Sequence, residues 1–499
     1  MISFGSNNDV RAKIFYFNDL HSNIKGAKRL KTAADNFDKM VQNQQVDAFK
    51  LCAGDSYIGR TKNNFIGKFL NSMGLDGMVL GNHEFDMGTK QLSEFFNNNL
   101  FKSLVSNLDF KKGNNLQDDI DAGRLAQSYI VEKNGHKYGL IGATAADFRD
   151  TSSKDTQDDC KDVGFMDVEQ SIDAVQKEVD KLKSQGINKI ILISHLGIDK
   201  DRQLAQKTDG IDVIVGGHSH HFLEGVNPGD NYFASKSGEP VLILQAGLNG
   251  EKYGLLDVVF DKNGKLKAAD NKLISTKELP ESLIIKYFED ITYGRPENFG
   301  KLQMDLNRAT SEFEEHPLAC FVAEAMKRKT GAQIAFHNKG CQKTTLKAGR
   351  EITNRDIQIA LPYINTVGLY KMSEKDIVEV LKASLDKPKD GEDKIGNLQV
   401  AGMNYTIGKN NELKEACVLD GDKKIKLDID DPSDDKFFTV TYGSFFAGGP
   451  SRLKMLYAPE KQIQRYEWDD LQATLELIRE RSKNGILDIK RDGRIKIEK

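Results

Sequence analysis

Five times within the first 221 residues, a short apolar run ends in a loop carrying aspartate, asparagine or histidine. The loops are Asn18-Asp19-Leu20-His21, Gly54-Asp55-Ser56, Gly81-Asn82-His83-Glu84-Phe85-Asp86, Ser194-His195 and Gly216-Gly217-His218-Ser219-His220-His221. Together they hold six of the chain's nine histidines. Residues 14–17, 49–53, 78–80, 138–143, 190–193, 213–215 and 241–244 read as strands. Between two of them lies a helix with Ile172, Val175, Val179 and Leu182 on one face, Asp167 and Gln170 as a capping pair and Gly186 at its end. Strands alternating with helices indicate an α/β fold. The polar loops then fall at the C-terminal ends of strands, where open α/β sheets place their ligand crevices.

A chain of 499 residues is too long for one core and should divide into about two to four domains. Hydrophobic residues at 39% and charged residues at 29% fit a globular protein. A net charge of −3 argues against a dedicated nucleic-acid binder, and no stretch approaches the roughly 20 apolar residues of a membrane span. Residues 1–9 show neither a basic nor an apolar leader segment, and the five cysteines are scattered without CxxC spacing. The expectation is a cytoplasmic protein with reduced thiols, although a trimmed exported protein would read the same.

The first domain is expected over residues 1–264, closing with a strand at 258–260 and a turn at Asp261-Lys262-Asn263-Gly264. Residues 265–300 read as a bridge, with a helix from Pro280 that buries Leu283, Ile284, Tyr287, Phe288 and Ile291. Residues 301–499 form a second α/β domain. It has a helix near 317–329 burying Leu318, Phe321, Val322 and Met326, and strands at 334–336, 398–401 and 437–442. Polar stretches at 149–159 and 386–394 read as surface loops.

A single histidine after a strand is usually structural, but five such loops in order point to a pocket for two divalent cations. Cations about 3.5–4 Å apart need a bridging carboxylate. Asp55, in a glycine-flanked turn, is the candidate bridge. Asp19, His21 and one later histidine complete one position; Asn82, His195 and another later histidine complete the other. Mixed imidazole and oxygen donors suit Zn, Mn or Fe better than Ca or Mg.

These loops resemble those of the calcineurin-like metallophosphoesterases, and within them the 5′-nucleotidase family, which includes UDP-sugar hydrolases and ecto-5′-nucleotidases. The stretches Asn338-Lys339-Gly340, Leu361-Pro362-Tyr363-Ile364-Asn365, Leu398-Gln399-Val400-Ala401-Gly402 and Gly493-Arg494-Ile495 extend the likeness over nearly the whole chain. The resemblance implies an N-terminal four-layer α-β-β-α sandwich and a C-terminal α/β substrate domain. It assigns Asp19, His21, Asp55 and His220 to one metal, and Asp55, Asn82, His195 and His218 to the other. It also implies a catalytic dyad of His83 and Asp86, with a water held between the metals as nucleophile on a nucleotide phosphomonoester. His221 and Glu84 are not expected to be ligands.

The substrate domain departs from the family pattern. The resemblance points to Asn338, Gly340, Lys343, Phe445 and Asn397 as substrate contacts. Lys343 stands where an arginine is usual and loses the two-pronged donor geometry. Asn397 stands where a second stacking ring is usual, and Gly448-Gly449-Pro450-Ser451 lacks the usual acidic residue. Rival readings are a phosphodiesterase or pyrophosphatase on cyclic nucleotides, nucleotide sugars or dinucleotides, a non-nucleotide phosphatase, a sulfur-ester hydrolase, and a metal-stapled binding protein.

Overall fold

The computed structural model describes residues 9–59, 64–111, 113–152, 154–294, 296–310, 312–363, 365–386, 397–447, 453–482 and 485–498. It divides into two compact units, one running to Gly294 and the other following it.

The first unit is built on two sheets. One has seven strands in the order Leu266–Ser275, Lys252–Phe260, Val10–Phe17, Asp47–Cys52, Gly77–Val79, Ser103–Leu104 and Leu125–Ala126. The other has six, in the order Tyr232–Ala234, Pro240–Leu244, Val213–Val215, Ile190–Ser194, His136–Ala143 and Ser128–Lys133. The period-2 pattern of the strands explains the layering. Ile14, Tyr16, Phe49 and Leu51 from one sheet share a core with Leu140, Ile191, Ile193 and Val213 from the other. On the outer face of the second sheet, Ile190 and Leu192 meet Ile172, Val175, Val179 and Leu182 of the helix Val168–Ser184. Asp167 accepts from Gln170 N while the Gln170 side chain accepts from Asp167 N, closing the capping box read from the sequence. Phe15 packs on Phe37 of the helix Ile24–Val41, which covers the first sheet. This is the four-layer α-β-β-α sandwich. No described helix is long and apolar enough to cross a membrane.

The bridge expected at 265–300 is not one. Leu266–Ser275 is the edge strand of the first sheet, paired along its length with Lys252–Phe260 through the 261–264 turn. The helix Leu283–Tyr293 also belongs to the first unit, and its orientation differs from the expected stripe. Ile285 is fully buried, while Leu283 is 81% and Tyr287 60% exposed, with Ile284 and Ile291 also exposed. Two polar contacts set this rotation: Ser282 N donates to Lys28 O, and Lys28 Nζ pairs with Glu289 at 2.7 Å.

The second unit has a five-stranded sheet in the order Gln399–Ala401, Ile334–His337, Phe437–Gly443, Thr366–Ser373 and Gln462–Asp469. The helix Pro317–Thr330 packs on it and buries Leu318, Phe321, Val322 and Met326, with Pro317 in its first turn. Smaller sheets of four and three strands complete the unit. None of the five cysteines forms a disulfide among the described residues.

Candidate metal centre

Three neighbouring parallel strands of the first sheet, Val10–Phe17, Asp47–Cys52 and Gly77–Val79, end together. Their ends lead into the loops of Asp19, Asp55 and Asn82. Two parallel strands of the second sheet, Ile190–Ser194 and Val213–Val215, lead into His195 and His218. The loops are sharply bent. Asp19, His21, Asp55, His218 and His220 all hold positive φ, between 48° and 72°. Such a backbone costs on the order of 1–3 kcal/mol for a side chain other than glycine, and it persists only where surrounding contacts enforce it. Here it aims five polar side chains at one point. Gly81 lets the Asp55 turn approach, since a Cβ there would sit 2.6 Å from Asp55 N.

The ligand-type atoms converge as three overlapping groups: Asp19, His21 and His220; His21, Asp55 and His83; and Asp55, His195 and His218. Asp55 is central. Its Oδ2 lies 3.1 Å from His195 Nε2, 3.5 Å from His21 Nε2 and 4.0 Å from His83 Nε2. Asp19 Oδ1 lies 3.3 Å from His220 Nε2 and 3.7 Å from His21 Nε2. His218 Nδ1 stands 3.0 Å from Asn82 Oδ1. All seven residues expected to hold metal are therefore brought together.

The donor set fits divalent cations by a specific observation. His195 Nδ1 is 2.6 Å from the Ala53 carbonyl, which can only accept, so Nδ1 carries the proton. Nε2 is buried, has no hydrogen-bond partner and faces the Asp55 carboxylate at 3.1 Å. Burial disfavours a charged imidazole, yet Asp55 and Asp19 lift His195 to about 10, so this buried pair calls for positive charge, as a proton or as a cation. Burial pushes Asp55 upward, but His195 and His83 outweigh it and hold the carboxylate well below its usual range.

His83 is set apart from this shell. Its Nδ1 meets Asp86 Oδ2 at 2.7 Å, and Asp86 is itself fixed by Gly59 N. Burial disfavours a charged imidazole, yet Asp86 and Asp55 outweigh it and lift His83 to about 9.

Glu84 touches no ligand-type atom of the groups. Its two oxygens accept from Asp55 N, Ser56 N, Tyr57 N and Gly81 N at 2.7–3.3 Å, tying two of the site loops together. Burial and the Asp55 charge push Glu84 up to about 7, against the pull of those donors. Glu84→Ala would leave four buried N–H groups without acceptors, so a loss on the order of 3 kcal/mol or more is expected. Urea unfolding of the metal-free protein measures it; an unchanged midpoint would show that the loops hold without this carboxylate. His221 is exposed; its backbone N–H donates to Gln245 Oε1 and its carbonyl accepts from Gly247 N. Asp147, which the sequence reading left aside, stands against His218 with its Oδ1 3.1 Å from Nε2.

The five expected substrate residues lie in the second unit. Asn338 follows the strand Ile334–His337, and its Oδ1 is buried with no protein partner. Gly340 has open space where a Cβ would point. Lys343 Nζ sits 4.8 Å over the Tyr363 ring. Phe445 is half-buried against the core, 5.6 Å from Phe446. Asn397 corrects the expectation: it is fully buried, exchanging hydrogen bonds with the Glu314 backbone and accepting none from outside. Its Nδ2 also reaches Tyr405 Oη at 2.9 Å, so its amide is spent inside the protein. The segment Gly448-Gly449-Pro450-Ser451 lies outside the described residues.

A family model described as calcineurin-like phosphoesterase matches residues 12–222, and one described as 5′-nucleotidase, C-terminal domain, matches residues 295–458. The chain is 27% identical over 464 residues to the trifunctional nucleotide phosphoesterase protein YfkN of Bacillus subtilis (strain 168), covering 85% of this chain. It spans only 30% of that relative's length. It is 26% identical over 501 residues to the 5′-nucleotidase of Mus musculus, covering 89% of this chain and 84% of that protein. The crystal structure of the 5′-nucleotidase precursor from Thermus thermophilus shares the fold, with a TM-score of 0.72, 24% identity and coverage of 98% of this chain and 99% of that one. The sandwich and its strand-end cluster define a calcineurin-like metallophosphoesterase, a class that uses divalent metals. Within that class, the chain belongs to the 5′-nucleotidase family.

Proposed function

We propose that this chain is a two-metal phosphomonoesterase acting on nucleotides. The observation that carries the reading is the Asp55-centred cluster with the His83–Asp86 pair beside it, because holding metal alone does not require that pair. Asp19, His21, Asp55 and His220 would hold one cation, and Asp55, Asn82, His195 and His218 the other. Bound there, the cations supply charge neutralisation at the phosphoryl group and an acidified water. Asp86 accepts from His83 Nδ1–H and, with Asp55, favours the charged imidazolium, whose Nε2–H faces the cluster. From that position His83 stabilises charge on the phosphoryl oxygens and donates a proton to the leaving oxygen. Names of the relatives support a nucleotide as substrate.

A panel of nucleoside monophosphates, cyclic nucleotides, nucleotide sugars and dinucleotides, assayed with Mn²⁺, tests this. Release of inorganic phosphate from the monophosphates is expected; hydrolysis of diesters or pyrophosphates alone would contradict it. One observation favours a second reading, a phosphatase of small non-nucleotide esters: the buried Asn397 offers no ring to a base. A stacked base contributes on the order of 1–3 kcal/mol, so a nucleotide enzyme should prefer AMP to ribose 5-phosphate by roughly 5–150-fold in kcat/KM. Equal values for the two would favour the second reading.

A further inference from the structure

The loop after the strand His136–Ala143 adds a carboxylate to the rim of the cluster. His218 Nε2 lies 3.1 Å from Asp147 Oδ1 and 3.2 Å from Oδ2, hydrogen-bonding the latter. On its other side the same Oδ2 takes the Lys200 ammonium at 2.5 Å, from the first turn of the helix Ile198–Lys207. The opposite edge of the His218 ring presents Nδ1 to Asn82 Oδ1 at 3.0 Å. A neutral imidazole has one proton to place. On Nδ1 it would be donated to Asn82 Oδ1, closing both atoms to a cation. On Nε2 it is donated to Asp147, leaving Nδ1 and Asn82 Oδ1 as two open donors side by side. The His218 backbone cannot make this choice. Its N–H is held by Asp19 at 3.0 Å, and its φ of 72° fixes where the ring starts but not its proton.

We propose that Asp147, braced by Lys200, is a positioning residue that selects the His218 tautomer able to bind a cation through Nδ1. This rests on the two-cation reading above. A carboxylate behind a ligating histidine raises its basicity and fixes its ring, and losing such a partner typically costs about 10–100-fold in metal affinity. The effect is confined to the position shared by Asn82, His195 and His218, because Asp147 touches no residue of the Asp19, His21 and His220 group.

The test is titration of metal-free protein with Mn²⁺ by calorimetry, alongside thermal unfolding of the same samples. Wild-type protein is expected to take two ions. Asp147→Ala should weaken one event about 10–100-fold and leave the other within about threefold, with metal-free unfolding unchanged. Asp147→Asn, which keeps an acceptor for Nε2–H, should recover much of the loss, and Lys200→Met should show a smaller loss at the same event. A merely structural role would instead lower both affinities together with the unfolding temperature, and that result overturns the proposal. So does Asp147→Ala protein that binds both ions as wild type. Should Asp147→Ala not fold, wild-type affinities in both Asp147→Asn and Lys200→Met overturn it equally. Fewer than two ions on wild-type protein would contradict the two-cation reading instead.

Discussion

His83→Asn is expected to lower kcat by about 10²–10⁴, the range of a positioned proton donor, while leaving metal content unchanged. The geometry gives the reason for both halves. His83 Nε2 is 4.0 Å from Asp55 Oδ2, farther than His195 or His21, and its Nδ1 is committed to Asp86. Asparagine keeps the backbone N–H that donates to Asp55 Oδ1 at 2.9 Å, so the bridge candidate stays in place. It removes a ring that can carry a proton towards the phosphoryl group. KM should move little, because the loss falls on an interaction made in the transition state. Phosphate release and elemental analysis on the same samples check it. Loss of a metal ion in step with activity would make His83 a ligand, completing the group it forms with His21 and Asp55.

Asp55→Ala should act differently, removing both cations at once. This carboxylate belongs to two of the three convergent groups and stands within 3.5 Å of imidazoles on either side. His220→Ala, by contrast, touches one group alone and should spare the second ion. The expected drop for Asp55→Ala exceeds the roughly 10–100-fold loss seen when only a supporting partner of a ligand is removed. Equilibrium dialysis against Mn²⁺ separates the variants. One ion retained at wild-type affinity in Asp55→Ala would show that the positions do not share this residue.

The ligand loops were legible in the sequence for a physical reason. Each follows a short apolar strand, and parallel strands of a layered sheet finish at a common edge. Residue types at strand ends therefore predicted a meeting point without any side-chain coordinates. Asp147 escaped because its loop carries one carboxylate and no histidine, which by itself reads as a surface turn. Only the tertiary approach of His218 gives it meaning. The helix Leu283–Tyr293 misled for another reason: Leu283, Ile284, Tyr287, Phe288 and Ile291 do share one face, but the structure leaves that face largely exposed and buries Ile285 and Glu289 instead. The Lys28–Glu289 pair, 261 positions apart in the chain, made the choice. Asn397 likewise looked like a substrate position by its place beside Leu398-Gln399-Val400. Its hydrogen bonds to the Glu314 backbone, invisible in the sequence, turn it inward.

Anomalous diffraction from crystals soaked in Mn²⁺ is the most direct measurement. Two peaks about 3.5–4 Å apart are expected, with the Asp55 carboxylate between them, His195 and His218 beside one and His21 and His220 beside the other. A single peak, or a pair lying away from Asp55, would contradict the account.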